Sequence, residues 1–159
     1  MSGLWDQKGI PHNGWKFLDM EDLEDDRIFC QMCRGVKIRY AHSLRHPNYP
    51  ETLVVGCECA AKMESDYTLA KSREKKFINI LKRKKKWLSR NWRHSSNGND
   101  YINTDGFNIV IFQKGSHWTG RLKNKDTECI YSLNYYNTQD DAKRAAFDRL
   151  IELKDHYFY

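Results

Sequence analysis

Two close pairs of cysteines constrain this chain more than any other feature of its 159 residues. Cys30 and Cys33 are spaced C-x-x-C, Cys57 and Cys59 are spaced C-x-C, and residues 34–56 separate the pairs. A tight turn can present the first pair to one metal ion, and a hairpin can bring the second pair beside it. Zinc prefers four such ligands in a tetrahedron, and a site filled by four cysteines has no open position for catalysis. We therefore predict one structural Zn²⁺ ion held by these four cysteines.

The choice between a metal site and disulfides depends on the cellular compartment. The first 20 residues lack the basic start and apolar core of a secretory signal. The chain has no run of about 18 apolar residues that would predict a transmembrane helix. We therefore expect a cytoplasmic protein without a membrane partner, in a compartment that disfavours disulfides. A redox dithiol at Cys30 and Cys33, or buried free thiols, are the other interpretations of the cluster.

The residues around the cysteine pairs predict a hairpin followed by a helix. VKIRYAH and ETLVVGC are rich in β-branched and aromatic residues, and HPNYP between them is a turn cluster. A helical spacing of apolar residues then runs over about residues 59–88 without a proline. We expect Gly35 to adopt a positive φ in the turn after the first pair. Residues 19–27, DMEDLEDDR, predict an acidic turn or a short helix.

The order CQMCRG, hairpin, GCECAAKM resembles a treble-clef zinc finger over roughly residues 28–75. The resemblance implies a helix whose first turn carries the second ligand pair. Treble clefs more often space that pair C-x-x-C, whereas the C-x-C here places Cys57 before the helix, with His42 or His46 as alternative fourth ligands. RYAHSLRHPNYPETLVVGCECAAKM is also similar to small uncharacterised bacterial and phage zinc proteins, a resemblance that supports zinc and implies no activity.

A metal nuclease of the HNH type shares the treble-clef frame and is the third functional hypothesis. Such nucleases place a general-base histidine on the hairpin, where this chain has His42 and His46. They also carry a metal-binding histidine on the helix, but no histidine occurs here between His46 and His94. The missing helix histidine disfavours this hypothesis.

A strongly basic segment follows the cysteines. Residues 72–93 carry ten basic residues and one acidic residue, and they supply the whole basic excess of a chain with net charge +6. Lysine and arginine neutralise phosphates, and nearby aromatic residues can stack on unpaired bases. A solvated helix face, or attraction to an acidic protein or an anionic membrane surface, would use the same charges. The predicted phosphate-contacting residues of this segment are Lys82, Arg83, Lys84, Lys85, Lys86, Arg90 and Arg93.

The C-terminal half predicts three strands and a helix. SSNGND at 95–100 is a loop by composition, GFNIVIF, HWTGRL and ECIYSLNYY predict strands, and Thr138 is a good N-cap for the last helix. We take Cys129 as a core cysteine.

The pattern weakly resembles double-stranded-RNA-binding domains, which implies a phosphate contact at Lys143. It also resembles AP2-like domains, which implies DNA contacts on the sheet at Trp118, Arg121 and Lys123. A plain sheet covered by an amphipathic helix explains the same residues as core.

We therefore predict an α+β protein: a treble-clef zinc finger with a long basic helix, followed by a three-stranded antiparallel sheet packed on a C-terminal helix. The predicted segments are 1–29, an aromatic and acidic stretch, 30–93, the zinc finger and basic helix, and 94–159, the β-β-β-α unit. The leading functional hypothesis is a non-enzymatic zinc protein that binds DNA or RNA. The alternative is a phage- or bacteria-encoded adaptor or inhibitor that binds another protein. No nucleophile motif such as G-x-S-x-G occurs.

Overall fold

The computed structural model describes residues 3–154. The fold is mixed α+β, with three α-helices and three antiparallel sheets among the described residues. The chain forms two compact units, residues 1–78 and 79–159. The predicted domain segments 1–29, 30–93 and 94–159 stay a prediction. Within the described residues, no helix is both long enough and apolar enough to cross a membrane.

Unit 1 contains a short 3₁₀ helix, five strands and the first helices. The elements are the 3₁₀ helix Gly3–Asp6, β1 Lys16–Asp22, β2 Ile28–Phe29, β3 Lys37–Ile38, β4 Tyr40–His46, β5 Tyr49–Val55, α1 Cys57–Met63 and α2 Tyr67–Trp87, which continues into unit 2. One sheet has the order β1-β4-β5, and β2 pairs with β3 in a second sheet. The predicted hairpin is confirmed, since β4 pairs antiparallel with β5 in the register His42 to Val55.

Strand β1 replaces the first four residues of the acidic turn or short helix expected at residues 19–27, and the turn itself lies at Glu24 and Asp25. It pairs antiparallel with β4 and forms one edge of its sheet. Only Met20 of this strand is buried, while Asp19 and Glu21 are exposed. Charged residues on an edge strand hinder pairing with other chains, so the acidic composition suits the position. The strand forms through long-range pairing, which local composition did not indicate.

The single helix expected over about residues 59–88 is two helices. Helix α1 ends at Met63, and α2 begins at Tyr67. Ser65 has φ 59°, a left-handed conformation that interrupts the helical path. The Asp66 carboxylate then accepts hydrogen bonds from the backbone N–H groups of Thr68 (3.1 Å) and Leu69 (2.9 Å). Asp66 is thus the N-cap of α2, a signal that the sequence carried but that the long apolar spacing obscured.

The apolar core of unit 1 lies between its sheet, the helix α1 and the N-terminal turn. Aliphatic, aromatic and sulfur-containing side chains from all these elements are buried together. They include Leu4, Trp15, Met32, Leu44, Val55, Ala60, Ala61 and Met63.

Unit 2 contains a five-stranded sheet, where the sequence predicted three strands. The elements are β6 Arg93–His94, β7 Asp100–Thr104, β8 Phe107–Lys114, β9 His117–Asn124, β10 Ile130–Ser132 and α3 Gln139–Leu153. The strand order is β10-β9-β8-β7-β6, with every neighbouring pair antiparallel. The predicted loop at 95–100 connects β6 to β7, and its last residue, Asp100, already belongs to β7. Cys129 is exposed before β10 rather than in the core.

Helix α3 forms as predicted and covers one face of the sheet. The Thr138 side chain accepts a hydrogen bond from the backbone N–H of Asp141 at 3.1 Å, which confirms the N-cap. The Asp141 carboxylate accepts from Arg144 at 3.1 Å. The core of this unit combines α3, the end of α2 and alternate residues of the strands: Trp87, Ile102, Phe107, Ile109, Ile111, Leu122, Ala142, Ala146, Phe147 and Leu150.

Candidate metal centre

The first cysteine pair lies in a turn that joins β2 to β3. The backbone N–H of Cys30 donates to Val36 O at 2.8 Å, and the N–H of Arg34 donates to Cys30 O at 2.7 Å. These bonds close the turn and direct the side chains of Cys30 and Cys33 toward each other. The residue with positive φ is Arg34, at 58°, rather than Gly35 as expected. The turn therefore adopts its left-handed residue one position earlier, without using the glycine.

The second pair lies in the first turn of α1. Gly56 is the N-cap, and Cys57 is the first helical residue rather than a residue before the helix. A Cβ at Gly56 would lie 2.9 Å from the Ile38 side chain, so this close approach requires glycine. The helix start leaves backbone N–H groups unpaired by the helix itself, and these groups favour nearby negative charge. This position suits thiolates.

Three of the four predicted ligands come together. The sulfur atoms of Cys30, Cys33 and Cys59 lie within 4.8 Å of one another, with Cys30 and Cys59 buried. Two thiolates bound about 2.3 Å from one zinc ion are at most about 4.6 Å apart, so sulfur atoms at the 4.8 Å limit need to move by only a few tenths of an ångström to share an ion. The separation is therefore that of a group that can hold a metal ion. Thiolates are soft ligands that select zinc, copper(I) or iron–sulfur clusters over magnesium or calcium.

The electrostatics of the group favour negative charge on sulfur. A hydrogen bond from the Cys59 thiol, together with backbone N–H groups of Cys33, Gly56 and Met32, lowers the pKa of Cys30 to about 5. The same hydrogen bond to Cys30, and then burial, raise the pKa of Cys59 above its ordinary value. The two thiols thus share one proton, and a bound cation would replace it.

The 3₁₀ helix Gly3–Asp6 lies against the cysteine group. Leu4 N donates to Met32 O at 2.8 Å, which holds the 3₁₀ helix against the C-x-x-C turn. The indole nitrogen of Trp5 is buried without a hydrogen bond of standard geometry, yet it is directed toward Cys59 and lowers the pKa of that thiol. A buried donor without a partner is costly. A thiolate at Cys59 would satisfy it, so the surroundings fit a metal-bound sulfur.

Cys57 is placed differently from the other three. It lies outside the group of mutually close sulfur atoms and donates a hydrogen bond to the Glu74 carboxylate. Burial and the negative charge of Glu74 raise the pKa of Cys57 to about 11. Cys57 and Glu74 nevertheless line the same cavity of about 360 Å³ as Cys30, Cys33 and Cys59. The cavity therefore offers two further side chains beside the three-cysteine group.

Glu74 belongs to a buried polar network within unit 1. The Nε2 atom of His42 lies 3.2 Å from Glu74 Oε1, and its Nδ1 lies 3.1 Å from Arg73 Nη2. Because an arginine can only donate, Nδ1 accepts, and Nε2 carries the proton that Glu74 accepts. Arg73 also forms two hydrogen bonds to Glu64, at 2.6 and 2.9 Å. This network fixes the orientation of Glu74, and sequence reasoning did not foresee it.

Both histidines considered as alternative ligands are engaged elsewhere. His42 is fully buried between Glu74 and Arg73. His46 accepts a hydrogen bond from Asn48 N at 3.0 Å and packs against Trp15 with ring centroids 5.4 Å apart. Neither belongs to the three-cysteine group.

The basic residues near the end of α2 divide into paired and unpaired sets. Arg83 bonds Asp105 at 2.5 Å, Lys84 bonds Asp148 at 2.8 Å, and Arg90 donates to Thr104 Oγ1 at 3.0 Å. The remaining predicted phosphate contacts are exposed and make no ion pair with the described residues: Lys82, Lys85, Lys86 and Arg93.

The other predicted nucleic-acid contacts are separated from one another. Lys143 is buried, with its ammonium nitrogen 2.8 Å from Asp100 and over the Trp92 ring at 4.6 Å. Trp118 packs against the apolar core on the α3 side, whereas Arg121, three positions on, falls on the opposite face by strand alternation. Lys143 is therefore already neutralised, and only Arg121 of these three residues lies on the face away from α3.

The chain was compared with protein-family models, with curated proteins and with solved structures, and none of the three comparisons gave a match.

Proposed function

We propose that this protein is a non-enzymatic zinc-binding protein that binds nucleic acid, with phosphate contacts at the end of α2. Zinc is the ion that suits a closed site of thiolates in a structural role. It would be held by Cys30, Cys33, Cys59 and Cys57, and the turn, hairpin and helix would then form a treble clef. The four cysteines line one cavity, and this supports the ligand set.

The observation that carries the nucleic-acid proposal is the set of unpaired lysines at the end of α2. Lys82, Lys85 and Lys86 are exposed, close in sequence within one helix, and free of ion pairs with the described residues. Neighbouring Arg83 and Lys84 are neutralised by carboxylates. Unpaired lysines in a cluster repel one another unless an anion binds them, and a phosphate backbone supplies regularly spaced anions.

The test is a salt titration of binding to duplex DNA, single-stranded DNA and RNA on protein of known zinc content. The variant Lys82→Gln/Lys85→Gln/Lys86→Gln removes the three unpaired charges. The control Lys8→Gln/Lys16→Gln/Lys125→Gln removes the same charge from exposed lysines elsewhere in the chain. If all three lysines contact phosphate, the slope of log K against log salt for duplex DNA falls by about 2.7 in the first variant. The control should retain the parent slope.

Two results would contradict the proposal. One is the absence of nucleic-acid binding at low salt by zinc-loaded protein. The other is an equal loss of affinity in the test and control variants, which would show that only net charge matters. A protein partner that remains bound after nuclease treatment, and is lost in the first variant, would instead support the adaptor hypothesis.

A further inference from the structure

The face of the unit 2 sheet turned away from α3 differs in composition from the apolar face that packs against α3. Successive strand residues point to opposite faces, and Ile109, Ile111 and Leu122 point to the α3 core. Residues one position away therefore point to the other side, called here the open face. One register row crosses all five strands on that face and consists of Arg93, Tyr101, Val110, Arg121 and Ser132.

The neighbouring rows of the open face follow from the same register. One row contains Asn103, Asn108, Lys123 and Ile130. Asn108 Nδ2 donates to Asn103 Oδ1 at 2.9 Å, as expected for side chains on one face. On the other side of the first row lie the pairs Phe112–Thr119 and Lys114–His117.

The open face is basic and carries no carboxylate. Its four cations are Arg93, Lys114, Arg121 and Lys123, and none makes an ion pair with a described residue. The carboxylates among the described residues of unit 2 all lie elsewhere. Asp100 points to the α3 side, and the others lie on α3 or in turns: Asp105, Asp126, Glu128, Asp140, Asp141, Asp148 and Glu152. The sheet therefore separates charge by face, which favours an anionic partner on the open face.

Arg121 lies at the centre of this face, and one nitrogen of its guanidinium group has no acceptor. Its Nη1 atom is buried and has no hydrogen-bond partner among the described residues. A buried guanidinium nitrogen without an acceptor is unfavourable, so an acceptor at the surface would favour a side-chain orientation that turns this nitrogen outward. Phosphate is the acceptor that best matches the planar guanidinium group.

Aromatic rings lie among the cations. Tyr101 and Phe112 are half-buried on the open face, and neither packs against the α3 core. Tyr135 is 58% exposed and makes an edge contact with His117 at a centroid distance of 6.3 Å. Rings placed between cations can stack on bases while the cations hold the phosphates. Stacking of this kind requires bases that are not enclosed in a duplex.

We propose that the open face binds a single-stranded nucleic acid, with Arg93, Arg121 and Lys123 holding phosphates and Tyr101 and Phe112 contacting bases. This inference rests on the proposed nucleic-acid binding and assigns to it a second surface, distinct in residues from the end of α2. It also names the class of partner, an unpaired strand.

The experiment compares Arg121→Gln/Lys123→Gln with the charge-matched control Arg144→Gln/Arg149→Gln, whose arginines lie on α3. The probes are a labelled oligothymidylate of about 15 nucleotides and a duplex of equal length. The face variant should lower the salt slope for the single strand by about 1.4, with duplex binding unchanged. Tyr101→Leu and Phe112→Leu should each weaken single-strand binding about tenfold. Thermal unfolding and zinc content verify that every variant is folded.

The outcomes separate this inference from the proposed function. Loss of single-strand binding in the face variants alone supports the open face. If those variants behave like the α3 control while the triple lysine variant loses binding, the open face is wrong and the end of α2 stands. Equal losses for strand and duplex overturn the single-strand assignment. Binding of polyglutamate as tight as that of the oligonucleotide would assign the face to an acidic protein instead. A parent protein that binds no nucleic acid overturns both proposals.

Discussion

The ammonium nitrogen of Lys143 lies 2.8 Å from Asp100 Oδ2, and both side chains are buried. His94 Nδ1 approaches the other oxygen of the same carboxylate at 2.5 Å. The pair joins α3 to β7, and its geometry makes Lys143 a structural residue of unit 2.

The substitution Lys143→Met should destabilise unit 2. It leaves the Asp100 carboxylate buried without its main partner, and breaking a buried pair costs about 3 kcal/mol or more. Denaturant unfolding followed by the fluorescence of Trp87 and Trp92 measures the loss. Arg144→Ala is the control, since it removes only an exposed ion pair and should cost under about 1 kcal/mol. A Lys143→Met variant as stable as this control would show that the pair contributes nothing.

Removal of the proposed zinc ion should unfold unit 1. Structural zinc contributes on the order of 10 kcal/mol to folding in small domains, and a chelator withdraws it. Cys30→Ser, Cys33→Ser and Cys59→Ser should each abolish stoichiometric zinc binding, measured by elemental analysis of protein purified without chelator.

Cys57→Ser distinguishes a fourth sulfur ligand from a fourth oxygen ligand. If Cys57 is the fourth ligand, the absorption spectrum of the cobalt-substituted protein should lose the intensity of one sulfur-to-cobalt transition. An unchanged cobalt spectrum would remove Cys57 from the ligand set and leave Glu74 as the neighbouring candidate. Glu74→Gln serves as the companion variant, because it keeps the shape of the side chain and removes its charge.

The substitution Gly3→Ala should displace the 3₁₀ helix Gly3–Asp6 from the candidate metal centre. Gly3 has φ 74°, and a Cβ there would lie 2.5 Å from Met32 O and 2.7 Å from the Cys33 carbonyl. Gly9 is a matched control, since it has φ 82° and open space around it. Gly9→Ala should cost about 1 kcal/mol from backbone strain alone. Gly3→Ala should cost roughly 2 kcal/mol more and weaken zinc retention, as measured by thermal unfolding and competition with a chelator.

Acidification should weaken unit 2 through Asp105. Burial alone would raise the pKa of this carboxyl, but hydrogen bonds from Lys154, Arg83 and Thr104 outweigh it and lower the pKa to about 2. A lowered pKa stabilises the fold above the ordinary value of 3.8, and this contribution disappears as the pH falls from about 4 to 2. The contribution is on the order of 1 kcal/mol after solvent screening. In Asp105→Asn, the stability of unit 2 should depend less on pH over that interval, with lower stability at pH 7.

Local sequence signals predicted the elements that depend on neighbouring residues. The Thr138 cap, the hairpin of β4 and β5, and the α3 face built on Ala142 and Ala146 all follow from spacing and residue type. The cysteine spacing likewise indicated that a turn and a helix start would each supply sulfur atoms. These features need only interactions within a few residues or across one tight turn, and residue types and spacing predict such interactions directly.

The tertiary structure decided which distant groups meet. Acidic β1 became a strand because β4 offered an edge, and Lys143 became buried because the Asp100 carboxylate lies beneath α3. Cys57 met Glu74 instead of the other sulfurs, although its position in the C-x-C pair was known. Trp118 and Arg121 lie on opposite faces of the sheet, and which of them faces α3 depends on how β9 packs against that helix. The sequence by itself determined the repertoire of helices, turns and thiols. Only long-range packing determined their partners, because the free energy of such contacts depends on groups that are distant along the chain.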